Sequence, residues 1–154
     1  MNLVRNITNS LTLLLLLFSL GPDCVAAASL QGRVINVFSG EQLQATISDG
    51  RLRQIKLLGI RAPVNSRRIS ADAKQYLHML TAGRAISIEY RVVMANGVIL
   101  GTVKHGGADI ALRMLKAGMA RVADEAHLDP ETRRGYLAAE RLARGRKVGL
   151  WQQH

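Results

Sequence analysis

Ile55-Lys56-Leu57-Leu58-Gly59-Ile60-Arg61-Ala62-Pro63-Val64 opens with apolar side chains at alternate positions and closes on a glycine, then a proline. Alternation is the two-residue period of a strand with one face in a core, and proline, which has no N–H to give, stops further pairing. The stretch reads as a core strand running into a fixed turn. Before it, Asp49-Gly50 is a dipeptide of the two-residue hairpin kind, and Leu43, Ala45 and Ile47 alternate with Gln44, Thr46 and Ser48. Residues 30–37 give another strand and Ser39-Gly40 a turn. A three-stranded meander is predicted.

After Pro63 the period changes. Ile69, Ala73, Tyr76, Leu77 and Leu80 recur at helical spacing, which predicts a helix over residues 70–82 with Ser70 as its cap, Asp72 in the first turn and Gly83 as a left-handed stop. Ile86, Ile88, Tyr90 and Val92 then alternate, Asn96-Gly97 supplies a hairpin, and residues 98–104 return as a fifth strand. Asp109 caps an apolar second helix ending near Gly118, and Asp129-Pro130-Glu131 opens a third that runs into a basic stretch. The prediction is an α+β fold: a five-stranded OB-type Greek-key barrel extended by three helices.

Residues 1–28 have the three parts of a cleaved secretory signal peptide. A positive charge at Arg5 precedes an apolar run over residues 11–20, then Gly21-Pro22 and Ala26-Ala27-Ala28, with cleavage predicted after Ala28. The run is too short for a spanning helix, which needs about 20 apolar residues. The single domain expected is residues 29–154, exported to the periplasm or secreted, with no transmembrane segment. Cys24 leaves with the signal, so the mature chain has no thiolate and no disulfide.

Removal of residues 1–28 takes one charge of each sign, Arg5 and Asp23, and leaves the net balance at +10. A surplus of that size favours polyanions, whether nucleic acid, anionic polysaccharide or an acidic partner face.

Several motifs now combine: Gly59-Ile60-x-Ala62-Pro63, Leu115-x-x-Gly118-Met119-Ala120, and Ala139-Glu140-x-x-Ala143-Arg144 leading to Gly149-Leu150-Trp151. In order and spacing over the mature chain they resemble the staphylococcal-nuclease-like family, whose central segment reads Arg-Leu-x-Gly-Ile-Asp-Ala-Pro-Glu. The resemblance implies structural roles for Gly59, Pro63, Gly118 and Trp151, the last anchoring the end of the final helix. It also implies where catalysis would sit. Family nucleases hold calcium with an Asp from an Asp-Gly-Asp-Thr turn and the Asp of the central segment, matched here by Glu41 and Arg61. The water-activating Glu is matched by Val64, and the two phosphate-clamping arginines by Lys56 and Val98. Guanidinium cannot ligate a metal, and valine can neither activate water nor clamp phosphate. No cofactor is expected, and calcium only if a rearranged site uses Glu41.

His78, His105, His127 and His154 show no metal-ligand spacing, and Ser39 and Ser66 have no triad pattern beside them. Positive charge is what the altered cleft keeps, in Arg51, Arg53, Lys56, Arg61, Arg67 and Arg68. Base stacking is thinly provided for, with Phe38, Tyr76, Tyr90, Tyr136 and Trp151 the only mature aromatics. The basic run over residues 141–147 reads as a solvated face with an Arg144–Glu140 pair. Three functions follow: a catalytically degenerate domain binding nucleic acid or another polyanion through a basic groove, a metal-dependent phosphodiesterase with a rearranged site, or an interaction module facing an envelope protein partner.

Overall fold

The computed structural model describes residues 28–123 and 128–152. The predicted signal segment up to residue 27, with Cys24, and His127 and His154 lie outside the described residues.

Five principal strands close a barrel. β1 (Ala28–Val37), β2 (Gln42–Ile47) and β3 (Leu52–Leu57) form the meander, and β1 also pairs with β5 (Ala85–Val93, counting the short β4, Ile60–Arg61, before it). β6 (Ile99–His105) runs antiparallel to β5 and parallel to β3, with Ile55 opposite Ile99, and that parallel pairing closes the ring. Closure leaves no free edge among these strands, and it turns each strand's apolar row inward. Leu43, Ala45, Ile55, Leu57, Ile86, Ile88, Ile99 and Val103 fill the interior. Ile35 departs from the pattern because the β1–β2 register slips between Val34 and Asn36, and the skipped side chain is exposed.

Both hairpin loops hold three residues, where Asp49-Gly50 and Asn96-Gly97 alone suggest two. Ile47 N–H bonds Arg51 O at 3.0 Å and Met94 N–H bonds Val98 O at 2.8 Å. Each loop ends on a glycine in the left-handed region, Gly50 and Gly97, both at φ 80°. This is the three-residue hairpin with a bulge rather than the two-residue turn.

Helix α1 (Arg67–Thr81) starts three residues before the predicted Ser70. Ser66 is its cap residue and makes no side-chain capping bond, while Ser70 Oγ donates to Pro63 O at 2.6 Å and ties the helix to the proline turn. Arg67 and Arg68 thus occupy the first turn. Cations there oppose the helix dipole, and sequence reasoning places the start later because Ser70 is a preferred cap residue. α2 (Ile110–Lys116) follows the short β7 (Ala108–Asp109), and α3 (Pro130–Gly145) follows β8 (Arg121–Val122) and precedes a 3-10 turn at Gly149–Trp151. Asp109 caps α2 through Leu112 N–H and also accepts from Tyr136 OH at 2.7 Å, so one carboxylate joins α2 to α3. Burial and the Asp109 charge push the Tyr136 phenol far above its ordinary range. Asp129 caps α3 as predicted, accepting from Glu131 and Thr132 N–H. No helix among the described residues is long and apolar enough to cross a membrane.

Trp151 is buried with Ala143 and Leu150, against Ile69 and Val148. The Arg144 guanidinium lies 4.1 Å and that of Arg121 4.8 Å from the ring centroid.

Candidate functional site

The turn that delivers Glu41 is fixed by close packing. A Cβ on Gly40 would come within 2.7 Å of Ala73 Cβ and 2.9 Å of Ala62 Cβ, so only glycine lets this turn lie against α1 and the proline segment. Glu41 is then held from both sides of its backbone, its N–H on Ser39 Oγ at 3.2 Å and its carbonyl oxygen accepting from Leu57 N–H at 2.9 Å. Its carboxylate is engaged as well. Oε2 accepts from Ala62 N–H at 2.9 Å, and Oε1 lies 3.9 Å from Lys56 Nζ, both side chains being about four-fifths buried.

Glu41, Lys56 and the backbone beside Arg61 therefore meet. The remaining positions do not supply chemistry. Val64 is 83% exposed and Val98 is buried, its N–H on Asn96 Oδ1. Calcium calls for several oxygen donors, preferably anionic. Here one carboxylate, hydrogen-bonded to an amide and ion-paired with an ammonium, faces a segment carrying a guanidinium, and among the described residues no group of three or more His, Cys, Asp or Glu could hold a metal. These residues do not fit the ion.

Because Glu41 bridges two elements, Glu41→Ala is expected to leave Ala62 N–H unbonded and Lys56 unpaired, at a cost of about 1–3 kcal/mol. Urea titration in EDTA measures it. A carboxylate kept only for a metal would give no loss, or a gain, when removed without the ion.

The six predicted groove cations are distributed over β3, the hairpin before it, β4 and the first turn of α1. On β3, Arg53 lies opposite Ala45 and shares the inward row of Ile55 and Leu57, whereas Lys56 lies opposite Gln42 on the outer row. Arg53 is three residues from Lys56, about 10 Å along a strand. Arg51 sits beyond it in the hairpin, 3.7 Å from Asp49. Arg61 lies in β4, next to the Ala62 amide that Glu41 accepts from, and Arg67 and Arg68 are exposed in the first turn of α1.

Sequence reasoning passes over Arg121. β4 and β8 form a two-stranded ribbon with Arg61 opposite Arg121, and both line a cleft of about 670 Å³. The only signal for it is a basic residue directly after Gly118-Met119-Ala120. A second cleft, about 430 Å³, crosses β5 and β6 and is lined by Tyr90, Arg91 and Leu100 together with Glu89 and Asp129. Leu100 is the β6 partner of Lys56. Of the other aromatics, Tyr136 is buried and Tyr76 packs on the core, so neither offers a stacking face; Phe38 is 40% exposed. His78 is exposed on α1, and His105 Nδ1 lies 2.8 Å from Ala85 O.

The barrel, its helices and the Gly-Ile-x-Ala-Pro turn agree with a family model, the staphylococcal nuclease homologue, that matches residues 54–153. The chain belongs to the staphylococcal nuclease homologue family. Among curated relatives, the staphylococcal nuclease domain-containing protein 1 of Schizosaccharomyces pombe is 29% identical over 143 residues, covering 80% of this chain and 16% of that protein. An uncharacterized endonuclease of Escherichia coli is 29% identical over 128 residues, covering 82% of this chain and 80% of its own length. An uncharacterized 38.1 kDa protein of Capnoides sempervirens is 29% identical over 134 residues, and the chain spans 38% of it. The barrel and helices expected of that family are thus present here.

Proposed function

We propose that this is an exported, catalytically degenerate nuclease-like domain that binds nucleic acid or another polyanion without metal. The observation that carries the reading is the state of Glu41. Its two oxygens serve Ala62 N–H and Lys56, and Arg61 stands where the family pattern has its second carboxylate. An ammonium and guanidiniums without ligated metal attract phosphates directly. Exposed cations on the adjoining segments are Arg61 in β4, next to the Ala62 amide, and Arg67 and Arg68 at the start of α1. Arg51 and Arg53, at the far hairpin, extend the basic surface rather than share this point.

Binding to a single-stranded oligonucleotide should weaken steeply with salt, with a log-log slope near −0.7 per phosphate contacted, and Arg61→Gln should make it shallower by about one contact. Fluorescence anisotropy across a salt series measures both. Binding that ignores salt, or none at low salt, would remove the polyanion reading and leave a protein partner on the basic face. Export is tested separately, by N-terminal sequencing of the protein from the cell envelope or medium, where Ser29 is the expected first residue and Met1 would contradict it.

A further inference from the structure

We infer that Arg61 and Arg121 form a receptor for an amphipathic anion, a carboxylate or phosphate head on an apolar body seated in the cleft beneath them. The two arginines are direct cross-strand partners in the β4–β8 ribbon. Opposed residues of an antiparallel pair share one face, with Cβ atoms about 5 Å apart, and like charges so placed destabilise the pairing. Neither guanidinium has an acidic partner among the described residues. An anion between them removes the repulsion and can take the two forks together.

The rest of the cleft is mostly apolar. Apart from Asn65 and Ser66 its lining includes Pro63, Val64, Ile69 and Leu150, and its volume of about 670 Å³ is that of a small-molecule site. Val64, 83% exposed, is an apolar side chain on the wall of this cleft. A phosphodiester chain gains nothing from such walls, whereas an acyl or alkyl chain does. The site is therefore distinct in chemistry from the polyanion surface, although Arg61 belongs to both. Arg121 is the residue that separates them.

The protein carries its own reporter. Trp151 is the single tryptophan, and the Arg121 guanidinium lies 4.8 Å from its ring centroid, so drawing Arg121 onto an anion changes the surroundings of the indole.

The full chain is titrated with octyl phosphate, octanoate, inorganic phosphate and octanol, read by tryptophan fluorescence and by calorimetry. Saturable binding of octyl phosphate or octanoate is expected, roughly tenfold or more tighter than inorganic phosphate because the chain adds apolar burial, with octanol not bound at that level. The preferred head group tells a phosphate-bearing source from a fatty-acid source. Arg61→Gln and Arg121→Gln should each weaken the amphiphile by roughly tenfold in calorimetry, the loss of one charge-assisted pair. Arg121→Gln should leave the salt slope of oligonucleotide binding unchanged. The inference fails if octyl phosphate and octanoate bind no better than inorganic phosphate, if octanol binds equally well, or if both variants bind like the parent protein. Amphiphile binding without any oligonucleotide binding would uphold this site and remove the polyanion reading. The converse would remove this site alone.

Discussion

Trp151→Ala is expected to lower the unfolding free energy by about 3–5 kcal/mol, a large share of the margin of a small domain. The ring is 7% exposed and forms, with Ala143 and Leu150, a core apart from the barrel interior. Its removal empties that cluster and withdraws the surface on which Arg121 and Arg144 lie, so packing and two cation–π contacts are lost together. The indole Nε1 is buried and has no hydrogen-bond partner among the described residues. Phenylalanine gives up no bond at this position and should retain much of the stability that alanine loses. Urea denaturation of the three proteins checks the order. An alanine variant whose midpoint barely moves would mean that the C-terminal turn does not anchor α3.

Gly118→Ala should come close to the same loss from the opposite side of the joint. Gly118 has φ 68° and Gly149 φ 58°, and Leu150 N–H bonds Gly118 O at 2.9 Å. A Cβ on Gly118 would overlap the Val148 carbonyl oxygen, and one on Gly149 would overlap Gly118 O. The chain leaving α2 and the chain leaving α3 touch backbone to backbone. Alanine brings about 1–3 kcal/mol from the left-handed conformation alone, and the overlap must also push the Gly149–Trp151 turn outward. Both substitutions then dissolve one cluster, so the double variant should lose clearly less than the two single losses together. A double-mutant cycle in urea reads this. Full additivity would show that Gly118 and Trp151 are independent.

What the sequence made legible divides by the range of the interaction that fixes it. Leu43, Ala45, Ile55 and Leu57 announce their strands because one buried face imposes a two-residue period, and the caps at Asp109 and Asp129 are local bonds between near neighbours. The start of α1 falls before the predicted Ser70 because that serine, a preferred cap type, is used inside the first turns to tie the helix to Pro63 O. β4 and β8 are two residues each, too short for any period, so the Arg61–Arg121 pairing left no pattern to read. The same holds at the site. The family resemblance marks Glu41 as a carboxylate position, but the hydrogen bond that its side chain accepts comes from a backbone amide 21 residues away at Ala62. Charge count likewise gathers Arg53 with Lys56, whereas the pleat of β3 sends them to opposite faces.

The central claim is that Glu41 serves the fold and no metal. Its most direct test is the thermal midpoint of the protein in EDTA and in millimolar calcium, with DNA and RNA present in parallel samples to register cleavage. A ligand that does not bind the native state cannot stabilise it, so the account predicts equal midpoints and intact nucleic acid. A midpoint raised by calcium, with hydrolysis that disappears in Glu41→Ala, would contradict it and establish a rearranged phosphodiesterase site.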